Sequence, residues 1–148
     1  MNGTDRNKAA VRAYVAAMNA GDIETLRSLF APDAEIQGVK GKGTFDFAAR
    51  IWRDLHDGLN MRLDIEQMAA EGDMVAVRFR ESGRWTGPFL EFTQPTGRSY
   101  ELVAMEWFEL RDGKIMRRWG ARDGSSQAAQ LGFPQPAQHA VCPAAKVA

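Results

Sequence analysis

The sequence has little of what announces many function classes. Its one cysteine, Cys142, leaves no internal disulfide framework and fits a reducing compartment. Neither charge is in excess: Lys plus Arg is 19 and Asp plus Glu is 19, for a formal net charge of zero. That balance does not draw the chain to nucleic acid or to an anionic membrane surface, and its Lys/Arg clusters are short. No apolar run approaches the roughly 18 residues of a membrane span, and the polar stretch from Met1 to Lys8 is no signal peptide. A cytoplasmic location is the expectation. His56 and His139 have no partners at metal-ligand spacing, so neither a metal nor an organic cofactor is expected.

What is present is ordinary for a folded domain. The 148 residues are 45% hydrophobic and 26% charged, enough for one domain that buries roughly 70% of its unfolded surface. The pattern assigns residues 1–134 to that domain. Residues 135–148 form an Ala/Pro-rich, aperiodic tail, expected to be disordered or to cross to a partner subunit.

Helical spacing of Val11, Tyr14, Val15 and Met18 predicts a first helix, capped by Thr4 or Asp5 and closed at Gly21. Asp22 caps a short second helix carrying Leu26, Leu29 and Phe30, which Pro32 ends. A strand over 34–39 follows. The glycine-rich stretch from Gly38 to Gly43 lacks the Gly-Lys-Ser/Thr ending of a phosphate loop and reads as a turn. Thr44 opens a third helix with Phe47, Ala48, Ile51, Trp52 and Leu55 on its buried side, ending at His56-Asp57-Gly58. From Met61 the period becomes two. Met61, Leu63 and Ile65 face inward, then Val75, Val77 and Phe79, with a bulge near Gly83. A long strand from Ser99 to Leu110 turns through Arg111-Asp112-Gly113 into a last strand over 114–122. A short helix from Ser125 to Leu131 stops at Gly132. Helices first and hairpin-linked strands after is the α+β pattern, with an antiparallel sheet and helices on one face.

The segment "VRAYVAAMNAGDIETLRSLFAPDAEI" (Val11 to Ile36) resembles the opening of the nuclear transport factor 2-like superfamily. "GRWTGPFLEFTQPTGRSYELVAMEWFELRDGKIMRRWGARD" (Gly83 to Asp123), with Gln-Leu-Gly at 130–132, is similar to the SnoaL-like polyketide cyclases of that superfamily. The resemblance implies a curved antiparallel sheet wrapped around N-terminal helices, forming a cone with an internal pocket. It also implies cofactor-independent proton chemistry beside carbonyls. The aldol cyclases of the family carry an acid/base Asp five residues after the Ile of Asp-Gly-Lys-Ile; here that Ile is Ile115 and the position is Gly120. The family's His in a His-x-Gly element is Trp85, and a second pocket His falls at Glu106. Limonene epoxide hydrolases need an Arg-x-Asp pair that the strand from Ala76 to Trp85 lacks. Tyr14 sits where ketosteroid isomerases place an oxyanion-hole tyrosine, while their general-base Asp would fall near Gly38.

Four residues are candidates for chemistry. Glu106 interrupts the apolar run "LVAMEWF" on the face of Leu102, Ala104 and Phe108. Burial disfavours a charged carboxylate, which suits a general acid or base near neutrality; the alternatives are an ion pair with Arg118 or a solvent-facing position. Arg118, roughly opposite Glu106 across the hairpin to within one residue, would orient it or bind a ligand oxygen, or else lie on a solvated edge. Tyr14 would donate its hydroxyl to an oxyanion, or be core. Asp123 would turn into the pocket, or cap the last helix. Trp52, Trp85 and Phe108 would wall the ligand site, and Gly120 would leave room where relatives keep their acid.

Two function classes follow. One is an enzyme of SnoaL-like type, a cyclase or isomerase that removes a proton alpha to a carbonyl of a hydrophobic small molecule. The other is a binding protein for such a molecule, with epoxide-hydrolase-like water addition as a third possibility. Met105, Trp107 and Trp119 on the outer sheet face predict a homodimer packed sheet to sheet.

Overall fold

The computed structural model describes residues 2–134; the expectations for the tail beyond them lie outside the described residues. Helices α1 (Gly3–Ala20) and α2 (Ile23–Leu29) precede strands β1 (Phe30–Gly38) and β2 (Gly41–Gly43). Helix α3 (Phe45–Leu59) leads into β3 (Arg62–Glu71), β4 (Met74–Arg84), β5 (Ser99–Arg111) and β6 (Lys114–Arg122), and α4 (Gly124–Leu131) follows. The six strands form one curved, unclosed sheet in the order β2-β1-β6-β5-β4-β3. This is the expected α+β cone, with one difference: β1 runs parallel to β6, so the sheet is mixed. A chain that must pass from the sheet's edge through α3 to its far side cannot join those neighbours by a hairpin.

Helix α1 buries Val11, Tyr14, Val15 and Met18, as its spacing predicts, and Gly21 closes it at φ 68°. Its cap is Asn2, whose Oδ1 accepts the Asp5 N–H at 2.8 Å, so the helix starts before Thr4. Asp22 caps α2 through the Thr25 N–H. The chain leaves the helix at Leu29, ahead of Pro32, and Pro32 itself lies inside β1. There the ladder to β6 shifts between Phe30 and Glu35, as a residue without an N–H requires. The glycine-rich stretch is a short hairpin, with Ile36 opposite Gly43 and Gly38 opposite Gly41, rather than a bare turn.

Three sequence-derived placements change. Phe47 is 37% exposed, and Phe45 takes the buried place on α3. Ile65 is 38% exposed although it stands opposite the buried Phe79, because β3 is the edge strand of the sheet; the β3–β4 register then slips between Ile65 and Gln67, which turns the following side chains over. No slip occurs at Gly83, where the β4–β5 ladder runs unbroken from Met74↔Glu109 to Arg84↔Ser99. Asp112 and Gly113, at φ 51° and 77°, form the left-handed pair that a tight β5–β6 hairpin needs. Between the sheet and α1 and α3 lies the core, in which Tyr14, Phe30, Phe45 and Trp52 meet mostly edge to face at 5.4–6.1 Å.

Candidate active site

Alternation along β5 turns Leu102, Ala104, Glu106 and Phe108 toward the helices, as expected. The β5–β6 register slips between Glu109 and Leu110. Glu106 therefore faces Gly120, and Phe108 faces Arg118; the expected opposition of Arg118 and Glu106 is off by two residues. Arg118 reaches back diagonally. Its Nε donates to Glu106 Oε1 at 3.2 Å, and its Nη2 lies 2.9 Å from Oε2. From α1, the Tyr14 hydroxyl donates to the same Oε1 at 2.7 Å. All three side chains are buried. Oε2 is held by charge alone: its contact with Nη2 is close enough for an ion pair but outside hydrogen-bond geometry.

A second cluster lies beside the first, and sequence reasoning missed it. Arg122 Nε donates to Glu81 Oε1 at 2.7 Å, and the Tyr100 hydroxyl donates to Glu81 Oε2 at 2.7 Å. Arg122 Nη2 stands 3.7 Å from Glu106 Oε2, which joins the two clusters. The signal was in the alternation already used. Glu81 continues Val75, Val77 and Phe79, Arg122 continues Arg118 and Gly120, and Tyr100 precedes Leu102 on the inward face.

Burial pushes the Tyr14 phenol well above its ordinary range; Arg118 opposes this and Glu106 adds to it. Burial would pull the Arg118 guanidinium down, but Glu106 and, after it, Tyr14 more than offset this, so Arg118 stays charged. Tyr100 is likewise raised by burial and by Glu81. Two carboxylates, two guanidiniums and two phenols thus share the inner face, with paired charges and protonated hydroxyls.

Arg118 and Arg122 also form part of the wall of a cavity of about 40 Å³ between the β1–β2 hairpin and α3. Val39, Lys40, Phe47 and Trp52 are among the other lining residues, and the Arg118 guanidinium lies 5.7 Å from the Trp52 ring. The expected space at Gly120 is filled: a Cβ there would lie 2.6 Å from Arg118 Cζ. A larger hollow of about 620 Å³ lies on the outer sheet face, beside Met105, Trp107 and Trp119. Among the described residues, no three His, Cys, Asp or Glu side chains gather to hold a metal ion.

The expected site residues divide in two. Tyr14, Glu106, Arg118, Gly120 and Trp52 come together, with Phe108 packed 5.0 Å from the Tyr14 ring. Asp123 and Trp85 do not join them. Asp123 caps α4 by accepting the Ser126 N–H at 2.9 Å. Trp85 packs 4.7 Å from Phe133 in a separate aromatic cluster with Phe89 and Phe92, and its Nε1 donates to the Gly87 carbonyl.

Residues 8–131 match the model of the SnoaL-like polyketide cyclase family. The chain belongs to that family. Among solved structures it is similar to IdmH, a candidate polyketide cyclase of Streptomyces antibioticus. The match has 28% identity and a TM-score of 0.74, over 85% of this chain and 98% of that one. A candidate SnoaL-like polyketide cyclase from a Jannaschia species shares the fold at 20% identity and TM-score 0.80, over 91% and 98% of the two chains. So does AclR, a candidate hydroxylase of Streptomyces galilaeus, at 22% and 0.79, over 91% and 87%. Proteins that share this fold are thus described with different reactions, so the reaction has to be argued from the side chains.

Proposed function

We propose that this family member is a cofactor-independent cyclase or isomerase acting on a carbonyl-rich, hydrophobic small molecule. The observation that carries the reading is the junction of Tyr14, Arg118 and Glu106, in which the guanidinium that grips a buried carboxylate also lines the cavity. A substrate carbonyl entering beside Trp52 competes with Glu106 for Arg118. A carboxylate that loses its guanidinium partner in a dry site becomes a stronger base. Glu106 then takes a proton from the carbon alpha to that carbonyl. The C–H electron pair becomes the enolate double bond, and Arg118 and Tyr14 hold the oxyanion. In a cyclisation the enolate carbon attacks a second carbonyl, and the new alkoxide takes the proton back from Glu106. In an isomerisation the proton returns to a different carbon.

A second reading is favoured by the filled position 120 and by the small cavity: the cone holds a hydrophobic ligand without turning it over. The experiment that separates them is deuterium exchange at the alpha carbon of aryl-substituted beta-diketones, followed by NMR in D2O. Exchange well above buffer, lost in Glu106→Gln, is expected. Ligand binding with exchange no faster than buffer leaves only the binding protein.

We also propose that the protein works as a homodimer packed through the outer sheet face. Met105 is 56% and Trp107 48% exposed there, beside the large outer hollow.

A further inference from the structure

The inner cavity presents one sign of charge. Lys40, Arg118 and Arg122 line it, and no Asp or Glu does among the described residues. Glu106 and Glu81, which balance the two guanidiniums, are buried behind them. Arg122 is the less committed of the two. Its Nε is taken by Glu81, its Nη2 lies 3.7 Å from Glu106 Oε2, and among the described residues neither terminal nitrogen has a hydrogen-bond acceptor. Glu81 in turn is fixed by the Tyr100 hydroxyl. Burial would pull Arg122 down, but Glu81 and Glu106 more than offset it, so the charge persists. The result is a guanidinium clamped at its base at a cavity wall, with outer donors that hydrogen-bond to no acceptor among the described residues.

We propose that Arg122, positioned by Glu81 and Tyr100, is a recognition residue for a carboxylate on the substrate, so that this protein takes free acids in preference to their neutral esters. The inference deepens the proton-transfer reading and rests on the same cavity. The space of about 40 Å³ holds one small polar group, about a water's share of volume. A carboxylate fits it and a ring does not. The ligand's apolar body then lies at the mouth, where the exposed lining residues Val39 (53%) and Phe47 (37%) present apolar surface. Arg122 supplies paired N–H donors to the carboxylate, Lys40 adds charge at the rim, and Trp52 and Arg118 meet the first atoms of the body.

The test uses the full chain, with 2-naphthoate and methyl 2-naphthoate as probes, and NMR titration of the tryptophan indole N–H signals. The acid is expected to bind about 10- to 100-fold more tightly than the ester, the range for a hydrogen-bonded charge. The Trp52 signal should move. Arg122→Lys should keep part of the preference, because charge remains while the planar fork is lost. Arg122→Gln should abolish it. That variant leaves Glu81 as a buried, unpaired charge, so Glu81→Gln/Arg122→Gln, neutral on both sides, is made beside it and should lose the preference too. Equal affinity for acid and ester, binding of neither at millimolar concentration, a preference that survives the double variant, or shifts at Trp107 and Trp119 instead of Trp52 would each overturn the proposal. Alpha-proton exchange on neutral diketones is a separate readout, so either idea can fail while the other stands.

Discussion

Arg118 occupies the space that a side chain at Gly120 would need, with its guanidinium carbon 2.6 Å from where a Cβ would stand. The two positions are two apart on one strand and share its inner face. The acid of the aldol cyclases at this position and the present placement of Arg118 therefore exclude each other.

Gly120→Ala tests that relationship. In most strands the exchange is neutral or gains about 0.5–1 kcal/mol, because glycine loses more chain entropy on folding. Here the methyl group forces Arg118 off Glu106, so urea unfolding should show a clear loss of stability. A midpoint unchanged from the parent would mean that Arg118 moves aside freely. Gly120→Asp should likewise displace Arg118, either pairing with it anew or destabilising the fold.

Glu106→Gln is expected to lower both turnover and stability. Loss of a positioned general base costs about 100- to 10,000-fold in rate. Leaving Arg118 as a buried, unpaired charge costs about 3–5 kcal/mol. Glu106→Gln/Arg118→Gln should recover much of the stability and none of the turnover. If Glu106→Gln melts several degrees lower with unchanged turnover, Glu106 is scaffold.

Tyr14→Phe keeps the ring against Phe108, Phe30 and Trp52 and removes only the hydroxyl given to Glu106. A hydrogen bond to a charged group contributes about 1.5–3 kcal/mol. Combined with Glu106→Gln in a double-mutant cycle, the stability losses should be less than additive. Full additivity would show that the hydroxyl acts independently of Glu106.

Both of the chain's tyrosines, Tyr14 and Tyr100, are held above the ordinary tyrosine value of 10.0 in the folded state. The folded protein therefore keeps protons that the unfolded chain releases above that value. Stability should be complete below about pH 10 and fall as pH rises beyond it. Phenolate absorbance should appear together with loss of native circular dichroism. Phenolate titrating near pH 10 in a still-folded protein would contradict the buried placement of both hydroxyls.

Trp107 and Trp119 are cross-strand neighbours on the outer face. Trp107→Arg should convert a dimer into a folded monomer, read by light scattering and circular dichroism. A monomer mass for the parent protein at micromolar concentration would reject the dimer.

Composition, the change from helical to two-residue periodicity, and the order of elements determined the α+β arrangement and put Tyr14, Glu106 and Trp52 on inward faces, because each reports a local preference repeated along one segment. The cone itself was legible only through the family resemblance. The same alternation already pointed Glu81, Tyr100 and Arg122 inward, though their meeting was not legible. Tertiary structure alone decided the partners. A one-residue slip near the β5–β6 turn put Gly120 opposite Glu106, and the slip after Ile65 moved the inward face of β3 from Leu63 and Ile65 to Met68 and Ala70. Side-chain reach did the rest: Arg118 bends across to Glu106, closes the space over Gly120 and lines a small cavity. Register and reach depend on atoms brought together from distant segments, as when α1 meets β5 at Tyr14 and Glu106, and no local pattern encodes their distance.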